Sequence, residues 1–174
     1  MTNRYINNNG NDALLSVDCA DFRVPYWGKA FNSYKFRASG VRYEVALCIA
    51  TGWICWTYGP KPPGLYNDLM IFREALMLEL DPNEKVVADG IYRAESPHIT
   101  KTPHTVNSYR NEEQETLVRA RHEHVNKRYK MWGCLGQRWR HVHRSHQTIF
   151  RAVTTMEQLQ IENGEPLGHV EYDD

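Results

Sequence analysis

The chain has 174 residues, 41% hydrophobic and 24% charged, which is enough for one domain with a true core and ordinary for a globular protein. Five Trp and ten Tyr argue against disorder. No apolar stretch approaches the ~20 residues that span a bilayer, and the polar opening MTNRYINNNGND has no signal-peptide core.

Residues 1–12 are expected to form a loose tail, with a folded domain over 13–156. ALLSVDCADFRV, 13–24, reads as a strand entering a turn. VRYEVALCIATG alternates Tyr43, Val45, Leu47 and Ile49, the period of a half-buried strand. Thr51-Gly52 permits a tight turn, so WICWTYG is expected to complete a hairpin. The prolines of PKPPGLYN impose a loop, and Asn67 or Asp68 can cap a helix over DLMIFREALMLEL. DPNE ends it, and KVVAD is the next strand. Residues 94–110, with Pro97 and Pro103, read as irregular. A long helix is expected from near Asn111, glutamates first and basic residues later, with Val118, Val125, Tyr129 and Trp132 as its apolar stripe. RWRHVHRSHQTIFRAVTTMEQLQI suggests a further helix, and 157–174 an acidic tail. A hairpin before the first helix and a lone strand after it predict an α/β fold with a mixed sheet.

The net charge is zero, yet residues 119–151 hold nine Lys/Arg against one acid, Glu123, and six acids with no Lys or Arg follow from 157. A basic stripe of this kind suits a polyanion or forms a solvated helix face. The four cysteines lack zinc-ribbon spacing, and three lie in apolar runs. They are expected to be reduced and mostly buried, in an intracellular protein.

Asp18 follows LLSV as Asp89 follows VVA. If those strands pair in parallel, ~4.8 Å apart, the two aspartates meet at one sheet edge. Asp21 competes with Asp18 from the same turn. On the long helix Glu123 shares a face with Arg119, Lys127 and Lys130. Three converging carboxylates repel one another unless a hard divalent cation, Mg²⁺ or Mn²⁺, sits among them. His141, His143 and His146, with His122 or His124, offer a rival zinc site, but spacings of two and three do not place the first three on one helical face and no cysteine pair supports it. Trp53, Trp56 and Trp132 could stack on bases or fill the core.

SVDCADFRV, YKFRASGVRYEV, GPKPPGLYNDLMIFR, KVVADGIYR and RARHEHVNKRYK occur in this order, with 34 positions from Asp89 to Glu123 and an Arg-(3)-Glu-(6)-Lys spacing at Arg119, Glu123 and Lys130. This ordered set resembles the catalytic domain of DDE superfamily endonucleases, the PIF/Harbinger-like and related insertion-sequence transposases. The resemblance implies a ribonuclease-H-like mixed sheet flanked by helices. It makes Asp18, Asp89 and Glu123 the catalytic metal ligands, with Asp68 an additional metal-site aspartate. Arg119, Lys127 and Lys130 would contact DNA. The activity it implies is metal-dependent DNA cleavage and strand transfer, or, in a relic, DNA or protein binding alone. DNA is the expected partner, with no membrane, an oligomer allowed, and a nuclear address if the source is eukaryotic. Two features depart from the family pattern. Ile91 stands where the family usually has Gly, with Gly90 one place earlier. Almost nothing precedes the first strand where the family usually carries a helix-turn-helix region, so the sequence reads either as a fragment of a longer transposase or as a copy that has lost targeting, which a separate DNA-binding protein could supply.

Overall fold

The computed structural model describes residues 13–82, 84–95, 99–101 and 109–168, with side chains left out for 99–101 and 109–115. The expected N-terminal tail lies outside the described residues, as do Pro97 and Pro103. Strand β1, Ala13–Arg23, runs antiparallel to β3, Ala38–Cys48, from Leu15↔Cys48 to Arg23↔Gly40. The short β2, Asn32–Ser33, pairs with the start of β3, and β4, Ile54–Lys61, with the rest of it. On its other side β1 pairs in parallel with β5, Lys85–Val87, which in turn pairs in parallel with β6, Ile99–Lys101.

The order β4-β3-β1-β5-β6 is therefore a mixed sheet with β1 at its centre. The central strands are buried on both faces, so their sequences are apolar almost throughout rather than alternating with polar residues. One face carries Ala20, Phe22, Val24, Tyr43, Val45 and Leu47 against α2, Tyr109–Met131, and α4, Ser145–Glu162. The other carries Leu15, Val17, Ala46, Val86 and Ala88 against α1, Asp68–Glu74, and the 3-10 turn that follows it. A single turn, α3, Gly133–Gly136, joins the two large helices' segments. This layered mixed sheet is a ribonuclease-H-like α/β fold.

Several boundaries move. β1 does not turn at Asp18 but runs to Arg23, because Cys19, Ala20 and Phe22 are all buried. The first helix is capped by Asn67, whose Oδ1 accepts from Met70 N at 2.8 Å. It stops at Glu74, and 76–79 continue as a 3-10 turn with Leu76 buried. The segment 138–144, read as helix, is extended and turned, and α4 starts only at Ser145. The stretch expected to open an acidic tail instead completes α4: Glu157 is buried and takes a hydrogen bond from Trp132 Nε1, and Ile161 and Leu167 enter the core. Cys19 and Cys48 are buried, Cys55 is half-buried and Cys134 exposed, and all four are free thiols. Among the described residues no helix is long and apolar enough to cross a membrane.

Candidate active site

The last β1–β5 pair is Ser16↔Val87, and Asp18 and Asp89 each lie two residues beyond it. Side chains alternate along strands, so Asp18 shares Ser16's face and Asp89 follows the face of Val87. That face is α2's: Ser16 Oγ lies 2.9 Å from His122 Nε2, and Val87 packs with Val118. On α2, Val118, His122, Val125 and Tyr129 are buried at helical spacing against the sheet. This orientation leaves Glu123 on the flank, exposed, beside Asp18.

Asp18, Glu123, Asn126, Lys130 and Lys35 line a cleft of about 420 Å³ over the centre of the sheet. Burial raises the Asp18 pKa, Lys35 and the Cys19 amide oppose this, and the charges of Asp89 and Glu123 push it further up. Asp89 and Glu123 are thus each within electrostatic reach of Asp18. Asp18 Oδ1 accepts from Cys19 N at 2.7 Å. Asp89 Oδ1 accepts from Ile91 N at 2.9 Å, capping the short 3-10 turn Gly90–Ala94. The turn that carries the Ile91 departure is therefore built on the Asp89 side chain, with Ile91 itself pointing outward, 53% exposed. Glu123 has no hydrogen-bond or ion-pair partner among the described residues. Lys127 stands on the outer wall with Glu123, Asn126 and Lys130, and Arg119 one helical turn before Glu123.

Asp21 and Asp68 are used differently. Asp21 faces the opposite side of the sheet. There it receives Arg42 Nε at 2.6 Å, Arg42 Nη2 at 2.9 Å and the Ser33 hydroxyl at 2.5 Å. Asp68, also buried, is an ion-pair partner of Arg42 Nη1 at 2.6 Å, without hydrogen-bond alignment, and of Lys35 Nζ at 3.8 Å. Its pKa is raised, by burial first, although both cations pull it down.

Lys35 is a site residue that the sequence reading missed. Its Nζ donates to Cys19 O at 2.8 Å. Burial works against its charge, but Asp68, Asp18 and Asp21 outweigh that and raise its pKa. The only available signal was its place in YKFRASG, which carries no local pattern for a cleft cation. Arg121 belongs to the basic stretch yet is buried, donating to Ile49 O and to Gly168 O.

The rival zinc reading does not fit. His146 is in the core, its Nδ1 2.8 Å from Tyr43 Oη, and His122 is held by Ser16. Trp53 and Trp132 pack against one core cluster and Trp56 against the other. Among the described residues no three His, Cys, Asp or Glu side chains stand in a group that could hold a metal ion, and Asp89 is not among the residues lining the cleft. The donor set of the cleft is nevertheless all carboxylate oxygen, the choice of a hard divalent ion rather than zinc.

No curated protein and no solved structure matches the chain. The sequence model of the DDE superfamily endonucleases matches residues 18–158, beginning at Asp18 and spanning Asp89 and Glu123, and the chain belongs to that family.

Proposed function

We propose that the chain is a divalent-metal-dependent DNA endonuclease and strand-transferase, with Asp18, Asp89 and Glu123 as metal ligands. What supports this is that Asp18 and Glu123 line one cleft while Asp89 follows the neighbouring parallel strand, and the charges of both acids act to raise the Asp18 pKa. Like charges held together in a half-buried cleft cost stability unless a cation compensates. Family membership supports DNA as substrate and divalent ions as cofactors. When bound, a pair of such ions would activate a water or 3′-hydroxyl and stabilise the leaving oxygen.

The chain's own residues supply the rest. Asp18, whose Oδ1 accepts from the Cys19 amide, would be a ligand from the cleft floor, Asp89, held by its own capping bond, a second, and Glu123 a third from α2. Lys130 and Lys35 face the same cleft and would hold non-bridging phosphate oxygens, with Arg119 and Lys127 steadying the flanking backbone. Asp68 we assign to orienting Arg42 and Lys35 rather than to the ion itself, because both of its oxygens face cations.

The test is nicking of supercoiled DNA in Mn²⁺ by the unaltered protein and by Asp89→Asn and Glu123→Gln, with Mn²⁺ calorimetry alongside. Nicking and a saturable Mn²⁺ site, both lost in the variants, are expected. Equal nicking by all three proteins overturns the assignment. DNA binding without nicking or Mn²⁺ uptake would favour a non-catalytic DNA-binding module, a reading supported by the spacing of the acids, no three of which, among the described residues, form a group that could hold an ion.

A further inference from the structure

The acidic cleft opens into a second concavity past Arg23 and Gly136, which line both. This groove, about 730 Å³, is bordered by four arginines and by no acidic residue. Arg23 ends β1, Arg37 lies in the β2–β3 turn, and Arg138 and Arg140 follow α3. All four are exposed, and none has a carboxylate partner among the described residues. Protein surfaces ordinarily intersperse the two signs of charge, and here the nearest buried acid, Asp21, is engaged by Arg42.

The arginines are held in place. Trp139 N donates to Arg23 O at 2.9 Å, tying the segment that bears Arg138 and Arg140 to the end of β1. The Arg23 guanidinium sits 5.4 Å from the Phe36 ring centroid. Arg37 keeps φ at 51°, a backbone state that side-chain-bearing residues rarely adopt. In the groove wall Ser39, only 7% exposed, has a hydroxyl with no partner among the described residues. Tyr26 borders the groove 66% exposed, a ring on which a base could stack.

Four separated guanidiniums match a line of single negative charges better than one small anion. Resting on the endonuclease reading of the adjoining cleft, we propose that this groove carries the phosphate backbone of the DNA strand leading away from the cleaved phosphate. Arg23, Arg37, Arg138 and Arg140 are its positioning contacts. Guanidinium–phosphate contacts fix register without reading bases, so the groove binds DNA of any sequence.

The experiment measures binding of a short fluorescein-labelled DNA duplex in EDTA, across a salt series, by the unaltered protein, Arg138→Gln/Arg140→Gln, Arg138→Lys/Arg140→Lys and Arg151→Gln. Removing two phosphate contacts is expected to make the slope of log K against log salt shallower by about 1.8. The lysine pair keeps the slope, and so does Arg151→Gln, an exposed α4 position outside the groove. Circular dichroism and melting curves verify that each variant is folded. If the glutamine pair, folded, binds with unchanged affinity and slope, the groove assignment falls even where the unaltered protein nicks DNA. If no protein nicks DNA but the glutamine pair alone loses binding, the groove stands and the catalytic reading fails.

Discussion

Ser16 and His122, 106 positions apart in sequence, meet at 2.9 Å across the interface between β1 and α2. Burial lowers the His122 pKa to about 4, so its ring is neutral at physiological pH and shares one hydrogen bond with the serine hydroxyl. This bond fixes the rotation of α2 at the residue before Glu123. Ser16→Ala leaves a buried ring nitrogen without its partner, a loss of about 1–3 kcal/mol. The expected outcome is a lower melting temperature together with weaker Mn²⁺ binding, because Glu123 loses its reference to the strand. Ser16→Thr, which keeps the hydroxyl on a strand-compatible residue, should retain both. Thermal melts and Mn²⁺ calorimetry of the two variants check this, and an alanine variant with unimpaired Mn²⁺ binding rejects the coupling.

Asp18 and Asp21, three residues apart on one strand, should respond oppositely to the same substitution. Asp21 neutralises a guanidinium that is almost fully buried, with side-chain exposures of 7% for Arg42 and 2% for Asp21. Asp21→Asn leaves that charge short of a partner, and the cost of breaking such a buried pair is about 3 kcal/mol or more. Burial, first, and the charges of Asp89 and Glu123 all disfavour the charged form of Asp18, with only Lys35 and the Cys19 amide supporting it. Asp18→Asn should therefore raise the melting temperature of the metal-free protein while abolishing nicking, a trade of stability for function. Added Mn²⁺ should narrow the difference by stabilising only the unaltered protein. Melting curves with and without Mn²⁺ decide it: a metal-free Asp18→Asn protein that melts lower than the unaltered one contradicts the strain assigned to Asp18.

The strand period made the parallel juxtaposition of Asp18 and Asp89 legible, because two short apolar runs each end in an aspartate at a fixed offset. The apolar spacing of α2 likewise turned Glu123 to the flank. What stayed hidden were pairings between distant side chains. Nothing local marks Lys35 as a cleft cation, Asp21 as the partner of Arg42, or Arg121 as a buried donor within a basic run. The acidic C-terminal stretch misled for the same reason: Glu157 is charged in composition but is placed by Trp132, 25 positions away. Local propensity also overran at 138–144, where Trp139 is drawn into the core beside His146 and the backbone leaves the helix.

Burial lowers the His146 pKa to about 4, with the neighbouring His143 acting in the same direction. The unfolded chain binds this proton near the ordinary value of 6.5, the folded protein only near 4. Stability is therefore complete above about pH 6.5 and declines as pH falls towards 4, by about 3 kcal/mol from this group. Protonation of Nδ1 would also remove the acceptor facing Tyr43 Oη. An NMR titration should show the His146 ring unchanged down to about pH 4.5, with denaturant midpoints falling over the same range. A ring that titrates near 6.5 in the folded protein refutes this.

Glu44 gives the opposite limb. It lies fully buried in β3, on the α1 side of the sheet, with Trp56 Nε1 donating to Oε2 at 3.0 Å and Oε1 without a partner among the described residues. Burial raises its pKa to about 8, the Trp56 bond opposes this, and Asp68 adds to it. The folded protein thus keeps a proton that the unfolded chain releases above 4.5. Stability from this group is present at low pH and is lost as pH rises through the interval to about 8, by about 4 kcal/mol at most. Glu44→Gln retains an acceptor for Trp56 and cannot ionise. Its stability should stay level across that interval where the unaltered protein weakens, so that the variant is the more stable of the two at pH 8. Urea midpoints at about pH 5 and pH 8 measure the difference, and parallel behaviour of the two proteins would mean that Glu44 is already ionised in the fold and that water or rearrangement satisfies it.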